Sequence, residues 1–270
     1  MAIVTLDGAL AGMQPRRAFA KAASGTVVAG RPFSFWSVGG NPGAGAYDTT
    51  LAGVALSSTS AIPAGAIPHV DPVSGNAYLA NLIASASQPC TLRLCDRLWH
   101  NGGFTITSAT AQTVNSAAFP ARDAAGTTNG DGVELGLEIS ASAGAAAPTI
   151  SVGYTNQAGT ASRTAANSFA TANSPVAGAF FPIGLQAGDT GVRSVQSLTL
   201  SASWLSGTMN LVAYRVLAEI PLSVANVGQA MNAVSLGMAR LYPGVVPFWI
   251  MIPNAATSTN ITGSYQETWG

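Results

Sequence analysis

The chain has 270 residues, of which only 11 are basic and 11 acidic, so it is 8% charged with a formal net charge of zero; ordinary soluble domains are roughly 25% charged. Apolar residues make up 48%, beside 30 glycines and 15 prolines, the reverse of the balance a disordered chain needs. A nucleic-acid surface needs a basic surplus that is missing here.

Low net charge favours association, so the expectation is a surface covered by copies of the chain or by partner proteins. The length fits one large β domain or two smaller ones, with enough burial to need no disulfide framework. Lys21 is the single lysine and the other ten bases are arginines.

In chain order, residues 1–30 read as an Ala/Gly-rich N-terminal arm. It carries Arg16, Arg17 and Lys21 within six positions, a candidate partner-docking element that orders on binding. The opening MAIVTLDGALAGM lacks a basic start and is interrupted by Asp7, so it does not read as a signal peptide. The longest apolar run, 245–253, is too short to span a bilayer. Synthesis in a cytoplasm and no membrane partner are expected.

The body, 31–253, begins with the strand candidate PFSFWSV and the turn cluster NPGAG. The stretch 57–75, with Pro63, Pro68 and Pro72, reads as an extended surface loop. Cys90 and Cys95 lie an odd number of residues apart, so a strand would point them to opposite faces; they read as two unbonded buried thiols. Residues 91–99 alternate, with Leu92, Leu94 and Leu98 on one parity and Arg93 and Arg97 on the other, a strand with one buried face.

Val133, Leu135, Leu137 and Ile139 define the next strand, and Ile150, Val152 and Tyr154 its expected hairpin partner. A second hairpin is expected between 196–204 and 209–217, apolar on both faces as in a strand buried between layers. Val227, Met231, Val234 and Met238 step by four, three and four residues, the stripe of one short helix. Residues 254–270 read as a polar C-terminal tail or extended arm. The sum is an all-β chain, a β-sandwich or jelly roll with at most one short helix, possibly in two subdomains.

Chemical motifs are sparse. The lone lysine, in FAKAAS, excludes a P-loop, and neither H-E-x-x-H nor a G-x-S-x-G elbow occurs. His69 lies in the proline-rich loop and His100 after Trp99; both read as structural. The segment from Asn129 through Asp131 to Glu134 has too few oxygens for a calcium loop and reads as a turn before a strand. Arg122 and Asp123, Asp189 and Arg193, and Asp96 and Arg97 are acid–arginine neighbours in sequence. They read as fixed pairs at subunit contacts or as ordinary surface pairs.

Asp131, Glu134 and Glu138 are the candidate acids of a hydrolase. At ~3.3 Å per strand residue, however, the two glutamates stand about 13 Å apart, beyond the roughly 5–9.5 Å of glycosidases. No catalytic, cofactor-binding or metal-ligating residue is assigned.

Three stretches, LRLCDRLWHNGGF (92–104), GVELGLEISASAG with VGYTNQAGTASRT (132–164), and FFPIGLQAGDTGVRSVQSLTLSASWLSGTMNLVAYRVLA (180–218), resemble virion structural proteins of tailed bacteriophages. The resemblance rests on texture and phrases. It implies a non-enzymatic building block, foremost a head decoration (cement) protein on the capsid surface. Such a protein would bind the major capsid protein as a symmetric homo-oligomer, with a trimer favoured, after assembly in the host cytoplasm. The alternative is a tail, fibre or spike component binding the host surface through loops such as 57–75. The long helical arm and spine helix of the major capsid shell fold are not apparent.

Overall fold

Alternating sequence becomes strand almost throughout. The structure, a computed structural model, describes residue 3 and residues 5–167 and 174–270. One short helix, α1 (Leu6–Ala11), precedes the strands β1 (Arg17–Lys21), β2 (Phe33–Ser34), β3 (Gly40–Asn41), β4 (Val54–Ala55), β5 (Ala77–Ala86) and β6 (Cys90–His100). Next come β7 (Gln112–Thr113), β8 (Glu134–Ala141), β9 (Ile150–Asn156), β10 (Arg163–Asn167), β11 (Phe180–Gly184) and β12 (Val192–Leu200). The chain ends with β13 (Thr208–Leu222), β14 (Gln229–Met231), β15 (Arg240–Leu241), β16 (Pro247–Pro253) and β17 (Ile261–Trp269). Among the described residues, no helix is long and apolar enough to cross a membrane.

The strands form two antiparallel sheets. The smaller runs β14-β5-β17-β1-β3, with β15 also on β5. The larger runs β2-β16-β6-β13-β8-β11-β10-β9-β12-β7, with β4 also on β6. This is the expected all-β sandwich. One core lies between the small sheet and the β16–β6–β13 region, joining Phe19, Leu79, Leu82 and Tyr265 to Leu92, Leu94, Ile220 and Trp249. A second core is enclosed by the large sheet curling on itself, so that Leu135, Leu137, Leu211 and Ala213 meet Val152, Tyr154, Val195 and Leu198.

Strands β6 and β13 serve both cores. Paired residues share a face, so Ala213 with Trp99, Arg215 with Asp96, Ala218 with Leu94 and Ile220 with Leu92 line one side. A register shift between Val216 and Ala218 keeps that side facing inward along the whole strand. On the opposite side, Cys95, Val212, Tyr214 and Phe248 pack with Trp36 and Ala66 in a third, smaller core. Cys90 belongs to the first core and Cys95 to the third. Both are unbonded and buried, as the odd spacing predicts.

Several expected elements need correction. The 133–139 and 150–154 strands exist but are not hairpin partners: β8 pairs with β11 and β13, and β9 with β10 and β12. Likewise β12 pairs with β9 and β7, whereas β13 lies between β6 and β8. The 227–238 stripe is not a helix. Gln229–Met231 is a strand on β5, and Asn226 and Met238 adopt positive φ, which interrupts helical winding.

The helix lies instead in the segment read as an arm, where the Thr5 side chain accepts from the Gly8 N–H at 3.0 Å and Asp7 occupies the first turn. Within that segment β1 is an interior strand of the small sheet, between β17 and β3. The expected C-terminal tail holds β17, which pairs with both β5 and β1. The chain ends are therefore largely built into a sheet.

Candidate functional site

The docking cluster is not one surface. Strand alternation turns Arg17, Phe19 and Lys21 one way and Ala18 and Ala20 the other. Arg16 is exposed and Arg17 half-buried. Lys21 is 3% exposed, and its Nζ donates at 3.0 Å to each of the carbonyls of Val38, Pro42 and Gly43. Burial pulls its pKa down to about 8. Lys21 is thereby removed from the docking set, because its three donors are already spent inside the fold.

The same inward turn recurs across the chain. Lys21, Arg31, Asp96, Arg97, Arg122, Asp123, Glu138, Arg215 and Glu267 are all buried; only Asp7, Arg16, Glu134, Glu219 and Arg240 are exposed. Charged side chains are almost never fully buried unless paired; Asp123 is held within its own turn and Arg31 lies over the Phe181 ring, while the others find partners further along the chain.

On one face of β6, Asp96 takes Arg122 in a forked pair at 2.9 and 3.1 Å and also accepts from the Val246 N–H at 2.9 Å. On the opposite face, Arg97 Nη1 donates to Glu138 Oε2 at 2.7 Å and Arg97 Nε to His100 Nδ1 at 3.0 Å. Tyr47 caps the other Glu138 oxygen at 2.9 Å. The guanidinium lies over Trp36, 4.5 Å from the ring centroid, with Phe248 at 5.2 Å and Tyr47 at 5.7 Å.

The neighbour pairs read from sequence are thus replaced. Asp96 and Arg97 point to opposite faces, and Arg122 leaves Asp123 for Asp96. Asp189 is clasped by Arg163 at 2.8 and 3.0 Å, with Asn156 at 2.7 Å. Arg193 reaches Asn129 instead. Asp123 organises its own turn, accepting from the N–H groups of Ala125, Thr127, Gly130 and Asp131. That explains the Asn129–Glu134 segment as a turn folded around a carboxylate. Among the described residues, no group of three or more His, Cys, Asp or Glu is placed to hold a metal ion.

Two open hollows flank the Arg97 node. The larger, about 410 Å³, is walled by Tyr47, Asp48, Gly102, Ser140, Thr208 and Asn210; the smaller, about 230 Å³, by Trp36, Tyr47, Asp48, Val54, Leu56 and His100, among others. The groups beneath them are committed. Burial and the adjacent Arg97 pull His100 down to about 2, so it stays neutral and serves as an acceptor. Glu138 holds Arg97 and Tyr47. Burial and Glu138 also push Tyr47 well above the ordinary phenol value, so its proton stays in place. Of the three carboxylates flagged for a hydrolase, Glu138 is locked in an ion pair and Glu134 accepts from Tyr214 Oη at 2.8 Å. Asp131 lies on the turn, bridged to Gly191.

Sequence reasoning missed the Arg97–Glu138 node because it put Arg97 on a solvent face. The available signal was the aromatic content of the 33–47 stretch, which covers that face.

No protein-family model matches the chain, and no curated protein matches it. Among solved structures it is similar to the VP2 subviral particle of infectious bursal disease virus, at 10% identity and a TM-score of 0.22, over 96% of this chain and 81% of that one. It is also similar to the structure of the Gx strain of that virus, at 14% identity and a TM-score of 0.17, over 94% and 65%. Likeness at this level carries no weight for fold or function.

Proposed function

We propose that the chain is a non-enzymatic virion structural protein, in first place a bacteriophage head decoration protein that binds and stabilises the capsid shell. The observation that carries this reading is the distribution of charge. Nine charged side chains are buried, eight of them in internal pairs or hydrogen bonds and Arg31 over the Phe181 ring, and five are exposed, leaving a surface suited to dense contact with copies and neighbours rather than to life as a dispersed monomer. The groups nearest the two hollows are held by one another, which favours a building role over acid–base chemistry. The partners on this reading are the major capsid protein and further copies of the chain, as a trimer, with Arg16 as the exposed base nearest the N-terminal face.

Capsids stripped of the protein should lose resistance to heat and to internal DNA pressure and regain it on adding the protein back. Unchanged resistance would sink the cement role. The tail, fibre or spike alternative is favoured by the proline-rich loop, which exposes Ile62, Val70 and Val73. Immunogold labelling separates the two, since head-wide labelling fits decoration and labelling at one vertex fits the tail.

A further inference from the structure

The proline-rich loop is fastened by a side chain that the virion reading does not use. His69 has no exposed side-chain surface, yet both of its ring nitrogens face carboxylates: Nδ1 lies 2.8 Å from Glu267 Oε1 and Nε2 2.9 Å from Asp71 Oδ1. A neutral imidazole carries one N–H and one lone pair, so it can satisfy only one of these acceptors. Satisfying both with the carboxylates ionised takes the imidazolium. Neither carboxylate is placed to turn away without loss. Asp71 accepts from the Gly244 N–H at 2.9 and 3.0 Å, and the second Glu267 oxygen accepts from Trp269 Nε1 at 3.2 Å.

We propose that His69 is a proton-governed clasp: as an imidazolium spanning Glu267 of β17 and Asp71, it holds the proline-rich loop on the small sheet, and loss of its proton lets that stretch lift. The inference stands whether or not the virion reading does. On release the proton passes to solvent on the side of Asp71, whose side chain is 23% exposed, whereas Glu267 is fully buried. The lost bond leaves the part-buried Asp71 carboxylate facing a lone pair, with the Gly244 N–H as its remaining donor, while Nδ1–H stays on Glu267. The residues beside the clasp, Val70 and Val73, are exposed apolar side chains, so the clasp fixes how that apolar tip is presented.

The other titratable groups packed here are accounted for. Tyr265 of β17 donates to the Pro68 carbonyl, and burial pushes its pKa well up, so it stays a neutral donor. Arg17 of β1 lies beyond Tyr265, and Arg122 at the Gly244 turn is held by Asp96. Burial pulls the His69 imidazole down, but hydrogen bonds and charge from Glu267 and then Asp71 outweigh it and hold the pKa above the usual value. A raised folded-state pKa gives stability that is complete below the unfolded value near ~6.5 and is lost as pH rises through the folded value. The clasp therefore closes in acid and opens as pH rises through the raised value.

The test is nitrogen-15 NMR of the histidine rings in the full chain. The chain has two histidines, and His100 stays neutral, so one imidazole titrates. Expected are a His69 ring mostly protonated on both nitrogens at the pH where free histidine is half-titrated, a midpoint above that of free histidine, and a downward shift of that midpoint in Glu267→Gln. Exchange of the Ile67 and Gly244 amides, corrected for its intrinsic pH dependence, should rise through the wild-type midpoint. A ring mostly in a single-proton tautomer at the pH where free histidine is half-titrated, a midpoint at or below that of free histidine, or amide exchange that ignores the midpoint would overturn the proposal. Should Glu267→Gln fail to fold, the wild-type ring measurement still decides.

Discussion

Replacing Glu138 by alanine is the sharpest probe of how this fold carries its charge. The substitution leaves the Arg97 guanidinium fully buried, with His100 Nδ1 as its remaining polar partner and Nη2 already without one. Removing one member of a buried pair costs about 3–5 kcal/mol, chiefly because the surviving charge is uncompensated. The rings of Trp36, Phe248 and Tyr47 offset some of this, at about 0.5–2 kcal/mol for a desolvated cation–π contact. A net loss of roughly 1–4.5 kcal/mol is expected. At about 2–4 °C per kcal/mol for a chain of this size class, that lowers Tm by roughly 2–18 °C.

The assay is urea unfolding of four proteins: wild type, Glu138→Ala, Arg97→Met, and the double variant. With both charges gone the uncompensated ion disappears, so the double variant should be more stable than the sum of the two single losses predicts, by about 2 kcal/mol or more. Additive losses, or a Glu138→Ala variant within about 0.5 kcal/mol of wild type, would refute the picture of a node held by its own ion pair.

Three further outcomes follow from the geometry. Lys21→Met should cost about 1–3 kcal/mol by stripping three carbonyls of their shared donor, whereas Arg16→Ala should stay within about 0.5 kcal/mol; chemical denaturation of both variants checks the contrast. Gly130→Ala should lose roughly 2–4 kcal/mol, since the residue has φ +88° and a methyl group there would sit 2.1 Å from the Val192 carbonyl oxygen. Gly188→Ala, at φ +87° in open space, should lose only about 1–2 kcal/mol in the same assay. Arg163, then the Tyr154 and Asn156 donors, hold Asp189 down at about 2 against burial. Its contribution is therefore present above the ordinary value of 3.8 and lost as pH falls toward 2, so Asp189→Asn should flatten the acid limb of the stability curve between those pH values.

What the sequence disclosed was local, and what it hid was pairing. The alternation of Val133 to Ile139 and of Ile150 to Tyr154 is visible by eye, and both segments are strands. Their partners lie elsewhere because β8 finds β13 some seventy residues on, and period two says nothing about which edge a strand will meet. Strand β17 was overlooked for a different reason. Ile261, Tyr265 and Glu267 do alternate with Thr262, Ser264 and Gln266, but the small polar side chains between them imitate a tail. The helical stripe at 227–238 is coincidence: Val227 and Val234 are exposed, and Gly237 and Met238 adopt positive φ, whereas the true helix announces itself only through the Thr5 cap.

The node was hidden by the same logic. Asp96 and Arg97 are adjacent, and adjacency on a strand means opposite faces, so the nearest opposite charge in sequence is the one partner that cannot be reached.

The buried charges also bear on strand pairing. Strand register here is set first by the buried apolar face, as for Leu135, Leu137 and Ile139 of β8, and the buried charges add a second constraint on the other face. Along β8, Leu135, Leu137 and Ile139 fill the core on one face, while Gly136 leaves room for the Phe180 ring on the other. A one-residue slip would carry Glu138 through the sheet, from the Arg97 face into the core of Leu137 and Leu211. It would strand two buried charges at once, at a cost of several kcal/mol. Asp96 does the same for β6, β16 and the 122 turn, through Arg122 and the Val246 N–H. The charge drawn inside thus adds to the large core side chains: the paired ions also mark which strand lies where.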